Sequence, residues 1–464
     1  MKKMIYSLVL FLSFSINAEE VALKKVAIIG GGMSGVATSA FLRNKKLEIH
    51  LFEKETRLGG HARTFPLPGL NGKTVNVDIG PQYINPVGWA IYVDFLKYFG
   101  LWNLKNFWKF KQTLTIFNEG AKYPSFITPG NEGENGYEWF SEVDEPVMRM
   151  TSLLEFLTAA HKHQQIEGEK PYISVQHFLD QIKISKKFQD DIIKPVIATG
   201  FTAPLDRVGE LSVTTVAGVL AFQSPLIPAY WYVSKFGIQP YIEQIAQKIK
   251  IQNPQFQIHL STPVTKVSKN ENGTYKVFYG DDGSMDFDYV VFSTHVPVLA
   301  EILKDYKAFD GIWDSMPYTY NKVVIHTDRE VFMDSRFPAF YNVKVRKNKT
   351  VGMAMNLEMI SKDFGPLLKS WGLTDSEYKR MKKEGKIVAE SDFMHPLQTI
   401  SFLKGLRKLK AIGKKEGNIF FTGGWSMDFE TQFNAVLSGY YAASAITPNL
   451  RYYWQSMMPS LKDK

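Results

Sequence analysis

The sequence predicts an α/β fold, a parallel sheet with its helices and a second, interleaved α+β domain, on three observations. The chain has 464 residues, 45% of them hydrophobic and 14% aromatic, which is beyond the size at which one core divides, so two joined domains are expected. A β-branched run, Lys25-Val26-Ala27-Ile28-Ile29, enters the glycine turn Gly30-Gly31-Gly32-Met33-Ser34-Gly35 and then a helix-like stretch at residues 36–42. A second strand pattern follows at residues 47–52 and ends in the acidic Glu53.

Each part of that strand, turn and helix has a physical task. Gly30 permits the tight turn, Gly32 lets the backbone approach a pyrophosphate, and Gly35 lets helix and strand pack closely. Met33 and Ser34 open the helix, whose free N–H groups and positive dipole end then face the phosphates. Glu53 is placed to accept from a ribose hydroxyl, which favours FAD or NAD over the 2′-phosphate of NADP. The unit is therefore read as an FAD/NAD(P)-binding, Rossmann-like domain.

The chain contains no cysteine, which excludes disulfides, thiolate metal sites and a cysteine nucleophile, and suits an oxidising compartment. Lys2 and Lys3, an apolar run at residues 5–14 and Ala18 before Glu19-Glu20 read as a cleavable signal peptide of residues 1–18. The expectation is an exported protein, periplasmic or secreted. No later stretch reaches the roughly 20 apolar residues of a membrane helix. The net charge of +9 has one local concentration, at Lys404, Arg407, Lys408, Lys410, Lys414 and Lys415. Such a cluster is a candidate for weak contact with an anionic membrane surface, though a solvated helix face is its commoner meaning. No nucleic-acid partner is expected of an exported chain.

After Glu53 the chain reads Lys54-Glu55-Thr56-Arg57-Leu58-Gly59-Gly60-His61-Ala62-Arg63-Thr64, and later Val77-Asp78-Ile79-Gly80-Pro81-Gln82-Tyr83. These segments resemble the flavin amine oxidase superfamily, which includes monoamine, polyamine and L-amino acid oxidases and the phytoene desaturases. Residues 318–328, with Ser293-Thr294-His295 and Phe340-Tyr341-Asn342, look like a bacterial branch of amine-oxidase-like proteins.

The resemblance implies a two-dinucleotide-motif flavoprotein that holds FAD non-covalently; a link through cysteine sulfur is excluded. It assigns to the cofactor Lys54, Arg57, Gly59, Gly60, Thr64 and the loop Gly80, Pro81, Gln82 and Tyr83. His61 stands where relatives commonly have arginine. Val264, opening the strand pattern of residues 264–267, is assigned the adenine. Gly423, Gly424, Asn434 and Ala435 are assigned the ribityl chain and the pyrimidine end. Gly424 replaces a usual carboxylate there, and Phe433-Asn434 replaces a usual Glu-Gly pair.

The expected division is a FAD-binding domain of residues 24–83, 232–300 and 406–450, and a substrate domain of residues 84–231 and 301–405. By position Lys322 matches the lysine that relatives hold near flavin N5, where burial would depress its pKa. Phe222, Tyr230, Trp231, Tyr232 and Trp425 are candidates for an aromatic amine cage. His161 and His163 lie two apart, on different sides of a helix, and no third ligand has recognisable spacing, so no metal is expected. His326 and Asp328 read as structural.

The function expected is hydride transfer from the C–N bond of an amine or amino acid to flavin N5, with oxygen or another acceptor reoxidising the flavin. Desaturation or isomerisation of a lipid or isoprenoid C–C bond is the alternative, and a flavin-bound protein without turnover is the third.

Overall fold

Strand Lys24–Ile29 pairs in parallel with Leu47–Phe52 on one side and Tyr289–Phe292 on the other, and Phe256–His259 and Ile419–Phe421 complete a five-stranded parallel sheet. Val26, Ala27 and Ile28 are wholly buried, a continuous rather than alternating pattern, because both faces of the sheet are covered. The computed structural model describes residues 23–128, 146–166, 172–220, 230–333, 337–427 and 429–462. The proposed signal peptide and Phe222 lie outside them.

On one face, helix Met33–Leu42 is buried along its whole length beneath helix Gln432–Ile446. The two approach so closely that a Cβ on Gly439 would lie 2.9 Å from the Thr38 nitrogen. Helix Gln239–Gln252 adds Tyr241, Ile242, Ile245 and Ile249 to the same core. The other face carries the antiparallel strands Val264–Lys269, Tyr275–Tyr279 and Gly283–Phe287 and helix Ile400–Glu416. That helix is amphipathic: Phe402, Leu403, Leu406 and Leu409 are buried, whereas Lys404, Lys408, Lys414 and Lys415 face solvent.

A seven-stranded sheet forms the second layer system, in the order Ile387–Pro396, Tyr318–His326, Leu368–Trp371, Val351–Asn356, Tyr341–Val345, Leu114–Asn118 and Phe126–Ile127. Helices including Val175–Gln181 and Lys194–Gly200 cover part of it. Its opposite face packs on Leu67, Val75, Phe110 and Trp231, which brings it against the glycine-rich loops of the first sheet. Among the described residues no helix is long and apolar enough to cross a membrane.

Candidate dinucleotide site and its histidine cluster

The first loop is built around two close approaches. Gly30 has φ 112°, and a Cβ on Gly35 would stand 2.0 Å from the Gly30 carbonyl oxygen, so neither position accepts a side chain. The buried carboxylate of Glu53 accepts from the backbone N–H groups of Gly31 (2.7 Å) and Glu55 (2.9 Å), bracing the turn where the second strand ends. Gly32 differs: a Cβ there would meet nothing closer than 3.9 Å, and the helix that begins after it has no side-chain cap. Its first-turn N–H groups, with Met33 and Ser34, are left for an anion.

The second loop docks on the first through Gly59 N–H to the Gly31 oxygen, 2.9 Å. Arg57 spends N–H groups on the oxygens of Leu58, Gly60 and Ala62 (3.1–3.3 Å). It thus braces the loop that the resemblance assigns to the cofactor. Burial lowers its pKa. Lys54 is exposed beside Glu55. Thr64 also serves the scaffold: its hydroxyl donates to Asp78 at 2.5 Å, and its N–H donates to Gln239 at 3.1 Å. Thr262 N–H donates to the Glu53 oxygen at 2.8 Å, drawing the start of the Val264–Lys269 strand to the Glu53 end.

Gly80 crosses beneath His61, whose carbonyl oxygen would lie 1.9 Å from a Cβ there. Beyond Pro81, Gln82 is 3% exposed with its Oε1 unpartnered. Tyr83 accepts from the Tyr341 hydroxyl at 2.5 Å and sets its ring edge-on to Trp231. In the C-terminal turn, Gly423 donates to Ser438 Oγ at 3.0 Å, and a Cβ on Gly424 would lie 2.9 Å from Glu430 Cα. Asn434 turns its side-chain amide onto the Phe429 oxygen at 2.7 Å, so it shapes residues 429–431; Ala435 is buried.

These loops converge on a cluster of histidines. The His61 ring stacks on His295 at 4.4 Å, meets Phe393 edge-on at 5.0 Å and lies 5.5 Å from His395. His395 Nδ1 is 3.2 Å from the Glu430 carboxylate, and nitrogen and oxygen atoms of His61, His395 and Glu430 all lie within 4.8 Å. Burial, reinforced by the other imidazoles, pushes His61 well below its usual pKa; burial also lowers His295. Tyr318 is held well above its usual value by burial and then by Glu430. The sequence reading missed His395 and Glu430. They come from separate segments, so no local spacing announces them.

Lys322 is corrected. It points outward, 2.9 Å from Asp392 Oδ1 with 40% of its side chain exposed, and that hydrogen bond raises its pKa. The depressed lysine is Lys369 on the adjacent strand, wholly buried and drawn down to about 7 by desolvation.

The aromatic cage is also redrawn. On strand Tyr230–Ser234 alternate side chains face opposite ways, so Tyr230 is exposed and Tyr232 packs on Trp102. Trp425 is buried and donates to the Thr294 oxygen at 3.0 Å. Trp231 lines a cleft with Trp89, Phe429, Asn85, Gly218 and Thr431. His163 lies 3.0 Å from Thr214 Oγ1, away from His161 beside Gln165. Wholly buried His326 meets Ser370 and the Asp328 N–H.

A glycine-cradled helix N-terminus on a parallel sheet, set against a large mixed sheet, is the arrangement of a dinucleotide-binding fold with a second domain beside it. The chain belongs to the flavin containing amine oxidoreductase family, whose pattern it matches over residues 33–353. It is a FAD-dependent oxidoreductase of the amine oxidase type. Protoporphyrinogen oxidase of Dictyostelium discoideum is 31% identical over 93 residues, a match that spans 18% of that relative's length. Cyclohexylamine oxidase from Brevibacterium oxydans superposes with a TM-score of 0.63 at 16% identity, over 92% of this chain and 100% of that one. A fatty acid isomerase from P. acnes does so with 0.64 at 13% identity, over 92% and 98%. At such identities the likeness is one of fold.

The residues fit a flavin dinucleotide: the space at Gly32, the uncapped helix, and the unpartnered buried oxygens of Gln82 and Thr294 are what a phosphate- and hydroxyl-bearing ligand would complete.

Proposed function

We propose that the protein oxidises the C–N bond of an amine or amino acid, using FAD held without a covalent bond and reoxidised by oxygen or another acceptor. When bound, the flavin supplies the hydride acceptor at N5. The chain's own part is to bind and to exclude water. Gly32 and the N-terminus of helix Met33–Leu42 take the pyrophosphate, Glu53 takes the ribose, and the Gly80–Tyr83 and Gly423–Ala435 segments take the ribityl chain and ring.

The observation that carries the amine reading is the cleft. Trp89 and Trp231 stand edge-to-face at 5.6 Å beside Phe429, with no charged side chain in the lining among the described residues. Aromatic faces attract an ammonium group, and an apolar wall keeps water from the reacting carbon. The same walls support the second reading, a lipid C–C bond as substrate.

Anaerobic titration with amines, amino acids and lipids, followed by absorbance, separates them. Amine oxidation bleaches the flavin and releases ammonia; the lipid reading leaves a new or shifted double bond and no ammonia. Flavin that stays with acid-precipitated protein would overturn non-covalent binding. We also propose export with removal of residues 1–18, supported by their basic, apolar and small-residue pattern. N-terminal sequencing of protein from the periplasm or medium would read Glu19 first.

A further inference from the structure

We propose that His395 accepts the proton an ammonium substrate must lose before its C–N bond can be oxidised, with Glu430 as the positioning residue that holds its ring. The inference rests on the amine reading above.

The placement comes from three elements. Glu430 sits between Phe429 and Thr431, which line the aromatic cleft, and its Cα backs onto Gly424. His395, on strand Ile387–Pro396, lies opposite Thr319 and two residues from Phe393, which also touches His61. His61 itself follows the Gly59-Gly60 turn. The pair therefore stands between the cleft and the two loops assigned to the flavin.

The titratable groups facing it are His61, His295, Tyr318 and Glu430, with Lys54 acting on His295 from beyond. Of the three imidazoles, His395 is the one hydrogen-bonded to a carboxylate among the described residues. His61 and His295 are buried where a positive charge is disfavoured. The carboxylate fixes the tautomer: Nδ1–H donates to Glu430 and Nε2 keeps a free lone pair. His395 retains 27% exposure of its side chain, and Phe429 and Thr431, the chain neighbours of its partner Glu430, line the cleft. Neither lysine competes, since Lys322 is paired with Asp392 outside and Lys369 donates to two carbonyl oxygens.

In the step proposed, an N–H bond of the ammonium breaks, its electron pair stays on nitrogen, and Nε2 takes the proton. With flavin bound, the neutral amine would be the form able to give hydride to it, leaving an iminium for water to hydrolyse. Glu430 stabilises the imidazolium that results.

The test uses the flavin-loaded protein and a panel of benzylamine, putrescine and cyclohexylamine, reading the rate of flavin reduction at saturating amine across pH. In the parent protein the rate rises with pH along an acid limb. His395→Ala and His395→Gln, with flavin absorbance and circular dichroism intact, should slow reduction by about 10²-fold or more and lose the limb. Added imidazole should recover part of the rate in His395→Ala. Glu430→Ala, with flavin absorbance intact and amine affinity unchanged, should slow reduction, because the acceptor that orients the His395 ring is gone. A His395→Ala protein that keeps both rate and limb overturns the proposal. So does loss of parent activity on dialysis against a chelator with recovery on adding Zn²⁺, which would give the cluster to a metal. If none of the amines bleaches the parent flavin, the amine reading fails first and this proposal falls with it.

Discussion

Lys369 Nζ donates to the main-chain oxygen of Asp78 at 3.1 Å and to that of Gly80 at 2.9 Å, so one buried ammonium clamps the loop that passes under His61. The Asp78 carboxylate faces the other way, accepting from Thr64 Oγ1 and from Ile238 N–H. Desolvation raises Asp78 to about 7 as it lowers Lys369 to about 7. Lys369→Met keeps the stem and removes the donors. It should cost about 1–3 kcal/mol, because the buried Asp78 carbonyl and the part-buried Gly80 carbonyl lose their partner, and a guanidinium unfolding midpoint close to that of the parent protein would refute the clamp.

Lys322→Ala should do almost nothing. Its ion pair with Asp392 is exposed, at 40% and 73% of the two side chains, and such pairs contribute at most about 1 kcal/mol. Stability within about 0.5 kcal/mol and an unchanged rate of flavin reduction are expected; a large loss of rate would restore Lys322 to the site.

The two lysines also mark where the sequence was legible and where it was not. Gly30, Gly35 and Glu53 could be read directly because a turn fixes their spacing along the chain and the strand and helix around them carry their own hydrophobic patterns. Lys322 was misread because strand side chains alternate: a shift of one residue exchanges the core and solvent faces. Lys369 has no signal of its own, since its strand is four residues long and its partners are near 80. His61, His395 and Glu430 are likewise joined only by tertiary packing.

Two glycines of the first loop should respond differently. A Cβ at Gly35 would strike the Gly30 oxygen at 2.0 Å, whereas one at Gly32 would make only ordinary contact, 3.9 Å from the Gly59 oxygen, on an extended backbone, φ −73° and ψ −178°, that any residue adopts. Gly35→Ala should therefore destabilise the apoprotein itself. Gly32→Val should leave the apoprotein melting temperature unchanged yet lower the flavin-to-protein ratio of the purified material, because the side chain fills the space left for the pyrophosphate. Equal flavin content in Gly32→Val and the parent would remove Gly32 from the cradle.

Acid should unfold the protein partly through His326. The ring is wholly buried: the Asp328 N–H donates to its Nδ1 at 3.1 Å, which makes Nδ1 an acceptor and leaves Nε2–H to donate to Ser370 Oγ at 2.6 Å. Protonation would place a second hydrogen where the Asp328 N–H already points. Burial accordingly lowers its pKa from 6.5 to about 4. Between those values the unfolded chain binds a proton that the folded chain refuses, so the His326 contribution is flat above about pH 6.5 and falls as pH drops toward 4. At about 1.4 kcal/mol per unit, the whole shift is worth about 3 kcal/mol. Urea midpoints at pH 7 and pH 4.5 should differ less in His326→Asn than in the parent protein. An equal difference in both would assign the acid sensitivity to other groups, His61 and His295 first among them, since burial lowers both.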